Sequence, residues 1–283
     1  MTTLITGATG NVGRLLVADL VARGVDLRAL SRDPTKAALP DGVEVAEGDL
    51  SSAGGAVFDG VDTAFVFPAD EGVDGFVERA LDAGVQRFVV LSSLAVSERN
   101  ARDGGSATAA HHRAVEHAVT SRTDAHIILR PGNFATNLLF WAFPIRSGYP
   151  VRIPYPTSSQ VLIHEADVAA AAAEALSSPD SFGPIVELTG PASLTKIEQL
   201  GAISAAISRE IPHIEIGPDE FRADMAQYMP SGIVEMLLRY WSETVDEPEV
   251  PLHSQLPEAL ASRIGGGTPL ARWAQDHRSD FTG

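Results

Sequence analysis

Through the first 130 residues, short runs of Val, Ile, Leu and Phe alternate with longer segments of helical period. The runs fall at 3–6, 26–30, 43–46, 63–67, 88–91 and 127–129. They lack polar alternation, which is the pattern of strands covered on both faces. Between them lie segments such as VGRLLVADLVARG, whose last glycine, Gly24, suits a helix C-cap. Alternating β and α elements predict an α/β fold built on a parallel sheet with right-handed crossovers.

The pattern changes after LRPGNF. Residues 141–160 carry four prolines, which argues against regular helix there. A strand and then a helix capped by Asp167 are expected in VLIHEADVAAAAAEALSS, and a further strand near 185–188. Helices are expected over 194–208 and 218–240, and a turn at the three glycines 265–267.

The 283 residues suit one large α/β unit, or a nucleotide-binding domain with a smaller lobe. A formal charge of −16 repels phosphate backbones and argues against nucleic-acid partners. There are no cysteines, so thiol chemistry, disulfides and Cys-ligated metals are excluded. No apolar run approaches the roughly 18 to 20 residues that cross a bilayer. The N-terminus lacks the pattern of a secretory peptide, so the cytoplasm is the expected location and no membrane association is expected. Of 21 basic residues only Lys36 and Lys196 are lysines, and alanine is abundant, a bias that suits a GC-rich bacterial genome. All three Trp and all four Tyr lie after residue 140, so the side chains that line apolar pockets are concentrated in the second half.

The sharpest motif is TGATGNVG. Gly7, Gly10 and Gly13 follow a strand and open a helix. The first glycine permits a tight turn, the second lets the backbone approach a pyrophosphate, and the third lets helix and strand pack closely. Thr9, Asn11 and Val12 complete this phosphate-binding turn. Where NAD-binding proteins place an acid at the end of the second strand, this chain has Ser31 and Arg32, with Lys36 close behind. A guanidinium there can hold a 2′-phosphate, so NADP(H) is expected over NAD(H). Asp33-Pro34 reads as a helix cap with proline at the first helical position. Asp49 and Leu50 follow the third strand, where the loop would cover the adenine; Asp49 also suits a helix N-cap. Phe67-Pro68 and Ser92-Ser93 end the fourth and fifth strands, at the sheet edge where cofactor and substrate meet.

TGATGNVG, SRDPTK, GDL, RFVVLSS, HRAVEHAV, ILRPGNFATNL, HEADVAAAAAEAL and TPLARWAQDH together resemble the NmrA-like atypical short-chain dehydrogenase/reductase family. The resemblance runs in order along nearly the whole chain and is weakest over 191–260. It implies a Rossmann-type doubly wound sheet in residues 1–133 and about 161–190. It also implies a smaller C-terminal α/β substrate lobe in about 134–160 and 191–283. Pro131, Gly132, Asn133 and Phe134 would contact the nicotinamide end of NADP(H). The family includes quinone reductases, ketone reductases of aromatic polyketide pathways, and redox sensors.

Short-chain reductases generally use a Tyr-x-x-x-Lys pair, and this chain cannot contain one. No Tyr precedes residue 149, and no Lys lies between 36 and 196. The resemblance aligns Thr108 and His112 with the pair, and the assisting Ser with Ser93 or Leu94. His112 can donate a proton or hold a hydroxyl; equally, it can be the surface i,i+4 partner of Glu116. His111, about 100° further round a helix, is expected to point elsewhere. No metal set is evident.

The expected activity is NADPH-dependent hydride transfer to a quinone or polycyclic aromatic ketone, possible without a strong acid because the product anion is delocalised. With the missing pair and a GC-rich source, the resemblance implies an antibiotic-pathway ketoreductase, such as one acting on an angucyclinone-type substrate. Phe140, Trp141, Tyr149, Tyr155, Met225, Tyr228 and Met229 are the expected walls of the substrate pocket, each with ordinary core packing as the alternative. A monomer or homodimer is expected. The rival reading is a non-catalytic NADP(H) sensor acting through a protein partner.

Overall fold

Leu4 and Ile5 are wholly buried in the first strand of a parallel sheet, as their unbroken apolar run requires. The computed structural model describes residues 2–99, 103, 105–252 and 258–282. In chain order the first elements are β1 (Thr2–Ile5), α1 (Asn11–Ala22), β2 (Asp26–Ser31), β3 (Glu44–Glu47), β4 (Val61–Val66), α2 (Val73–Asp82), β5 (Arg87–Leu91), α3 (Ala107–Thr120) and β6 (His126–Pro131). Next come α4 (Ala142–Ser147), β7 (Val151–Ile153), β8 (Ser159–Val161), α5 (Glu165–Ser177), β9 (Ile185–Leu188), β10 (Ser193–Thr195) and α6 (Lys196–Ile207). The last are β11 (His213–Glu215), α7 (Pro218–Met225), α8 (Ser231–Asp246), α9 (Glu258–Ile264), α10 (Leu270–Asp276) and α11 (Arg278–Thr282).

Two units share the chain. The first comprises Met1–Gly132, Glu165–Leu188 and Gln255–Gly265, so α9 joins it although the expected boundary gave that stretch to the lobe. Residues 253–257 lie outside the described residues. The first unit's sheet has the order β3-β2-β1-β4-β5-β6-β9, parallel throughout. The order reverses between β1 and β4, and ligands of such sheets bind outside the carboxyl ends at that switch point. One core packs Leu4, Ala64, Val66, Phe88 and Ile128 of the sheet against Phe76, Val77 and Ala80 of α2 and Val115 and Val119 of α3. Arg263 of α9 is ion-paired with Asp19 of α1 and Glu174 of α5.

The second unit comprises Asn133–His164, Thr189–Ser254 and Gly266–Gly283. It holds two small sheets, β8 antiparallel to β10 and β7 parallel to β11. Trp141, Ile145, Ile203, Trp273 and Phe281 share one apolar cluster; Phe221, Met225, Val234 and Leu238 form another. Beside the second cluster lies a buried polar chain. Gln199 Nε2 donates to Gln160 Oε1 (2.8 Å), Gln160 Nε2 to Ser158 Oγ (2.5 Å), and the Ser158 and Thr244 hydroxyls meet at 2.8 Å.

Several sequence expectations change here. Residues 142–147 are helical despite Pro144, because proline in a first turn removes no intrahelical donor. The helix expected over 218–240 is two helices, α7 and α8, with Pro230 at the entry to the second. Asp167 lies buried within the first turn of α5, not ahead of it. Among the described residues no helix is long and apolar enough to cross a membrane.

Candidate active site

Thr6 fixes the turn after β1. Its Oγ1 donates to Phe65 O (2.9 Å) and accepts from Phe67 N (2.7 Å), tying the ends of β1 and β4 together at the switch point. Gly7 takes φ +63°, and a Cβ on it would lie 2.8 Å from Phe67 Cβ. A Cβ on Gly13 would lie 2.0 Å from Gly7 O, so helix and turn meet at backbone contact. Gly10 N donates to Gly7 O (3.0 Å), and the first helical bond runs from Arg14 N to Gly10 O. The Asn11, Val12 and Gly13 amides therefore lack intrahelical partners. No side chain caps this end and no acid occupies the first turn. Thr9, Gly10 and Asn11 are exposed beside it. A backbone cradle with unused donors at the positive end of a helix fits a pyrophosphate.

At the end of β2, Ser31 Oγ accepts from Asp33 N (3.2 Å). Asp33 accepts from Thr35 N and Thr35 Oγ1, and Lys36 Nζ lies 2.8 Å from its other oxygen. Lys36 first, then Thr35, hold the Asp33 carboxyl below its usual range. The acid nearest the expected ribose position is thus engaged as a cap, and Lys36 is its counter-ion. Arg32 is exposed and makes no ion pair among the described residues. Asp49 closes the turn after β3, accepting from Ser51 N (3.0 Å), Ser52 N (2.8 Å) and Ser52 Oγ (2.8 Å). Leu50 is core, and its carbonyl accepts from Arg79.

After β5 the two serines part. Ser92 is buried and donates to Glu116 Oε1 at 2.5 Å. Ser93 caps a 3₁₀ turn through Ala95 N. Glu116 is not a surface partner of His112. It is buried and receives both Arg130 Nε (2.8 Å) and Arg130 Nη2 (2.6 Å). His112 is half-buried, its Nδ1 enclosed with no hydrogen-bond partner. Burial, and to a lesser degree His111, lower its pKa to about 4. His111 does not point elsewhere: its Nε2 lies 3.4 Å from Pro68 O, and the two rings meet edge-on with centroids 5.0 Å apart. His111 thus reaches the loop after β4 and meets the His112 ring beside it.

Pro131 ends β6, and Gly132 N donates to Leu188 O. Asn133, the first residue of the second unit, accepts from Ile163 N through its carbonyl (2.8 Å). Its Nδ2 donates to Tyr240 Oη at 2.6 Å. Phe134 bridges to Ile163. The seven expected pocket residues fall in different surroundings. Trp141 and Met225 are packed in separate apolar clusters, and Tyr155 and Met229 lean on the second. Phe140, Tyr149 and Tyr228 are exposed. Sequence reasoning missed the contacts of His111, the Glu116–Arg130 pair and Tyr240. Partners 107 residues apart, as Asn133 and Tyr240 are, leave no mark in local spacing.

The family model described as NAD(P)H-binding matches residues 7–179. The chain belongs to this family. Over 285 residues, 98% of each chain, it is 32% identical to (4-alkanoyl-5-oxo-2,5-dihydrofuran-3-yl)methyl phosphate reductase of Streptomyces griseus. It is 28% identical to NAD(P)H azoreductase of Xenophilus azovorans, over 83% of this chain and 84% of that one. Its fold matches the NADPH-dependent quinone oxidoreductase of Escherichia coli, solved with NADPH, at a TM-score of 0.73 and 20% identity, covering 97% of this chain and 99% of that one.

Proposed function

We propose that this NAD(P)H-dependent oxidoreductase prefers NADPH and reduces a quinone or a polycyclic aromatic ketone, in a biosynthetic pathway to an antibiotic. The observation that carries the cofactor preference is the division of labour after β2. Asp33 is engaged by Thr35 and Lys36, while Arg32 stands exposed without an ion-pair partner. A 2′-phosphate would meet a guanidinium there, with Asp33 engaged in its own cap and Asp49, whose carboxylate feels the Arg32 charge, held by Ser51 and Ser52.

When bound, NADPH supplies a hydride. The chain's own part is to bind, orient and protonate. The Asn11, Val12 and Gly13 amides are suited to the pyrophosphate and Arg32 to the 2′-phosphate. Phe67, at the switch point, borders the glycine turn. With a pKa of about 4, His112 is protonated in only about one molecule in 10³ at pH 7. It therefore serves as a neutral hydrogen-bonding imidazole and not as a cationic acid. A conjugated acceptor suits such a site, because its reduced anion is delocalised. The names of the relatives support that substrate class: an unsaturated furanone, an azo compound and a quinone are all conjugated acceptors. The Streptomyces relative supports a bacterial specialised pathway.

The test is NADPH oxidation by the purified protein over a panel of quinones and polycyclic aromatic ketones, with NADH in parallel and products identified. Turnover with NADPH well above NADH is expected. Tight NADP(H) binding with no turnover on any acceptor would sink the reductase reading in favour of a sensor.

A further inference from the structure

Within the first unit, the turn after β3 is held from two sides. On the side of β2, Gly48 N donates to Ser31 O (2.9 Å), which seats the turn beside Arg32, and the Asp49 carboxylate feels the Arg32 charge. On the side of α2, Arg79 reaches three carbonyls of the same turn. Its Nε donates to Ala53 O (2.6 Å), and its Nη2 donates to Leu50 O (2.7 Å) and Ser51 O (3.3 Å). Arg23, Arg28, Arg113, Arg122 and Arg130 of this unit pair with acids. Arg79 is half-buried and is given instead to the backbone of one turn. Gly75, one helical turn earlier on α2, leaves room for it: a Cβ there would stand 3.0 Å from Arg79 Nη1.

We propose that Arg79 is a positioning residue for dinucleotide binding: it holds the turn over 49–53 in the shape that receives the adenosine end of NADPH. The proposal rests on the cofactor reading above. A turn that fluctuates must be ordered when a ligand binds, and that ordering is taken from the affinity. A clamp that forms the turn beforehand removes the loss. If the unclamped turn held its shape in only about one molecule in five to ten, the apparent Kd would rise by about the same factor. The 2′-phosphate is left to Arg32. Loss of Arg79 therefore weakens NADPH and NADH alike, whereas loss of Arg32 separates them. The clamp acts on the adenosine end, so hydride transfer from bound cofactor is untouched.

The experiment measures Kd by calorimetry for NADPH, NADH and adenosine 2′,5′-bisphosphate, which carries the adenosine end alone. In Arg79→Met all three values should rise together, by about 5- to 10-fold. KM for NADPH should rise in step, while kcat at saturating NADPH stays within about twofold of wild type. Arg79→Lys, with fewer donors in a single head, should fall between the two. Hydrogen–deuterium exchange over 48–53 should be faster in Arg79→Met without ligand than in wild type, and NADPH should restore the wild-type rate. Gly75→Ala keeps every Arg79 donor but crowds the end of the guanidinium, and alanine within a helix should not lower Tm. Its Kd values should rise by about two- to fivefold. Kd values within twofold of wild type in a folded Arg79→Met overturn the proposal. Should Arg79→Met not fold, Gly75→Ala decides, and unchanged Kd values there overturn it. A wild type that binds none of the three ligands overturns the cofactor reading and this role together. A wild type that binds them no better than the variants overturns the role alone.

Discussion

Glu116 of α3 and Arg130 of β6 form a buried two-point ion pair, at 2.8 and 2.6 Å, with Ser92 Oγ as a third partner of the same carboxylate. The hydrogen bonds to Glu116 raise the Arg130 pKa against the opposing effect of burial. The pair fixes α3 against the sheet, and with it the neighbouring His112. Glu116→Ala removes both charge-assisted bonds of a half-buried guanidinium, leaving it Ser97 Oγ and the charge of Glu187, and should cost about 1.5–3 kcal/mol in urea unfolding. Glu116→Leu with Arg130→Met should cost clearly less, because no charge is then left unpaired. A double variant as unstable as the single would contradict this account of the pair.

Arg32→Ala should weaken NADPH binding about 10- to 100-fold, the loss of one or two solvent-exposed charge-assisted bonds, and leave NADH within a few-fold. Calorimetric titration with both dinucleotides checks this. Equal losses for both would assign Arg32 no role in selection.

Gly13→Ala places a Cβ 2.0 Å from the Gly7 carbonyl oxygen, a backbone contact that cannot relax by side-chain rotation. Loss of dinucleotide binding and a lower Tm are expected. Gly201→Ala, in α6 with nothing near its Cβ, should instead stabilise by roughly 0.5–1 kcal/mol. Thermal unfolding of the two variants should therefore shift in opposite directions.

His112 should titrate near pH 4 in a histidine NMR series, well below an ordinary imidazole. The unfolded chain then takes up a proton through pH 6.5 that the folded chain refuses until about 4. Between those values stability should fall as the pH falls. His112→Gln should flatten that part of the profile.

Lys196 is buried, with Nζ donating to Pro154 O (2.7 Å) and lying 3.3 Å from the centre of the Trp241 ring. Burial pushes its pKa down to about 6, while the ring face works the other way. Between about 6 and 10.5 the unfolded chain binds a proton that the folded chain does not. Lys196 thus makes stability rise with pH in that window, by at most about 1.4 kcal/mol per unit. Urea unfolding of Lys196→Met should lose this slope. An unchanged slope would mean that Lys196 is charged in the fold.

The glycine turn, the Arg32 position and the parallel sheet were legible in the sequence because each rests on local rules. A Cβ at position 13 meets a backbone atom six residues away, and a strand buried on both faces has a run of apolar residues. The missing Tyr-x-x-x-Lys pair was equally plain, since absence of a residue type needs no fold. What the tertiary structure decided were the partners. Glu116 looked like a surface neighbour of His112 at helical spacing, yet β6 delivers Arg130 to it and draws it inward. His111 reaches Pro68 in the loop after β4, and its ring meets that of His112. Trp141 and Met225 carried the composition of a pocket, and packing placed them in two separate cores. Tyr240 meets Asn133 across 107 residues. Helical period and strand alternation register only neighbours within a few positions, so a contact closed by the fold has no local signature.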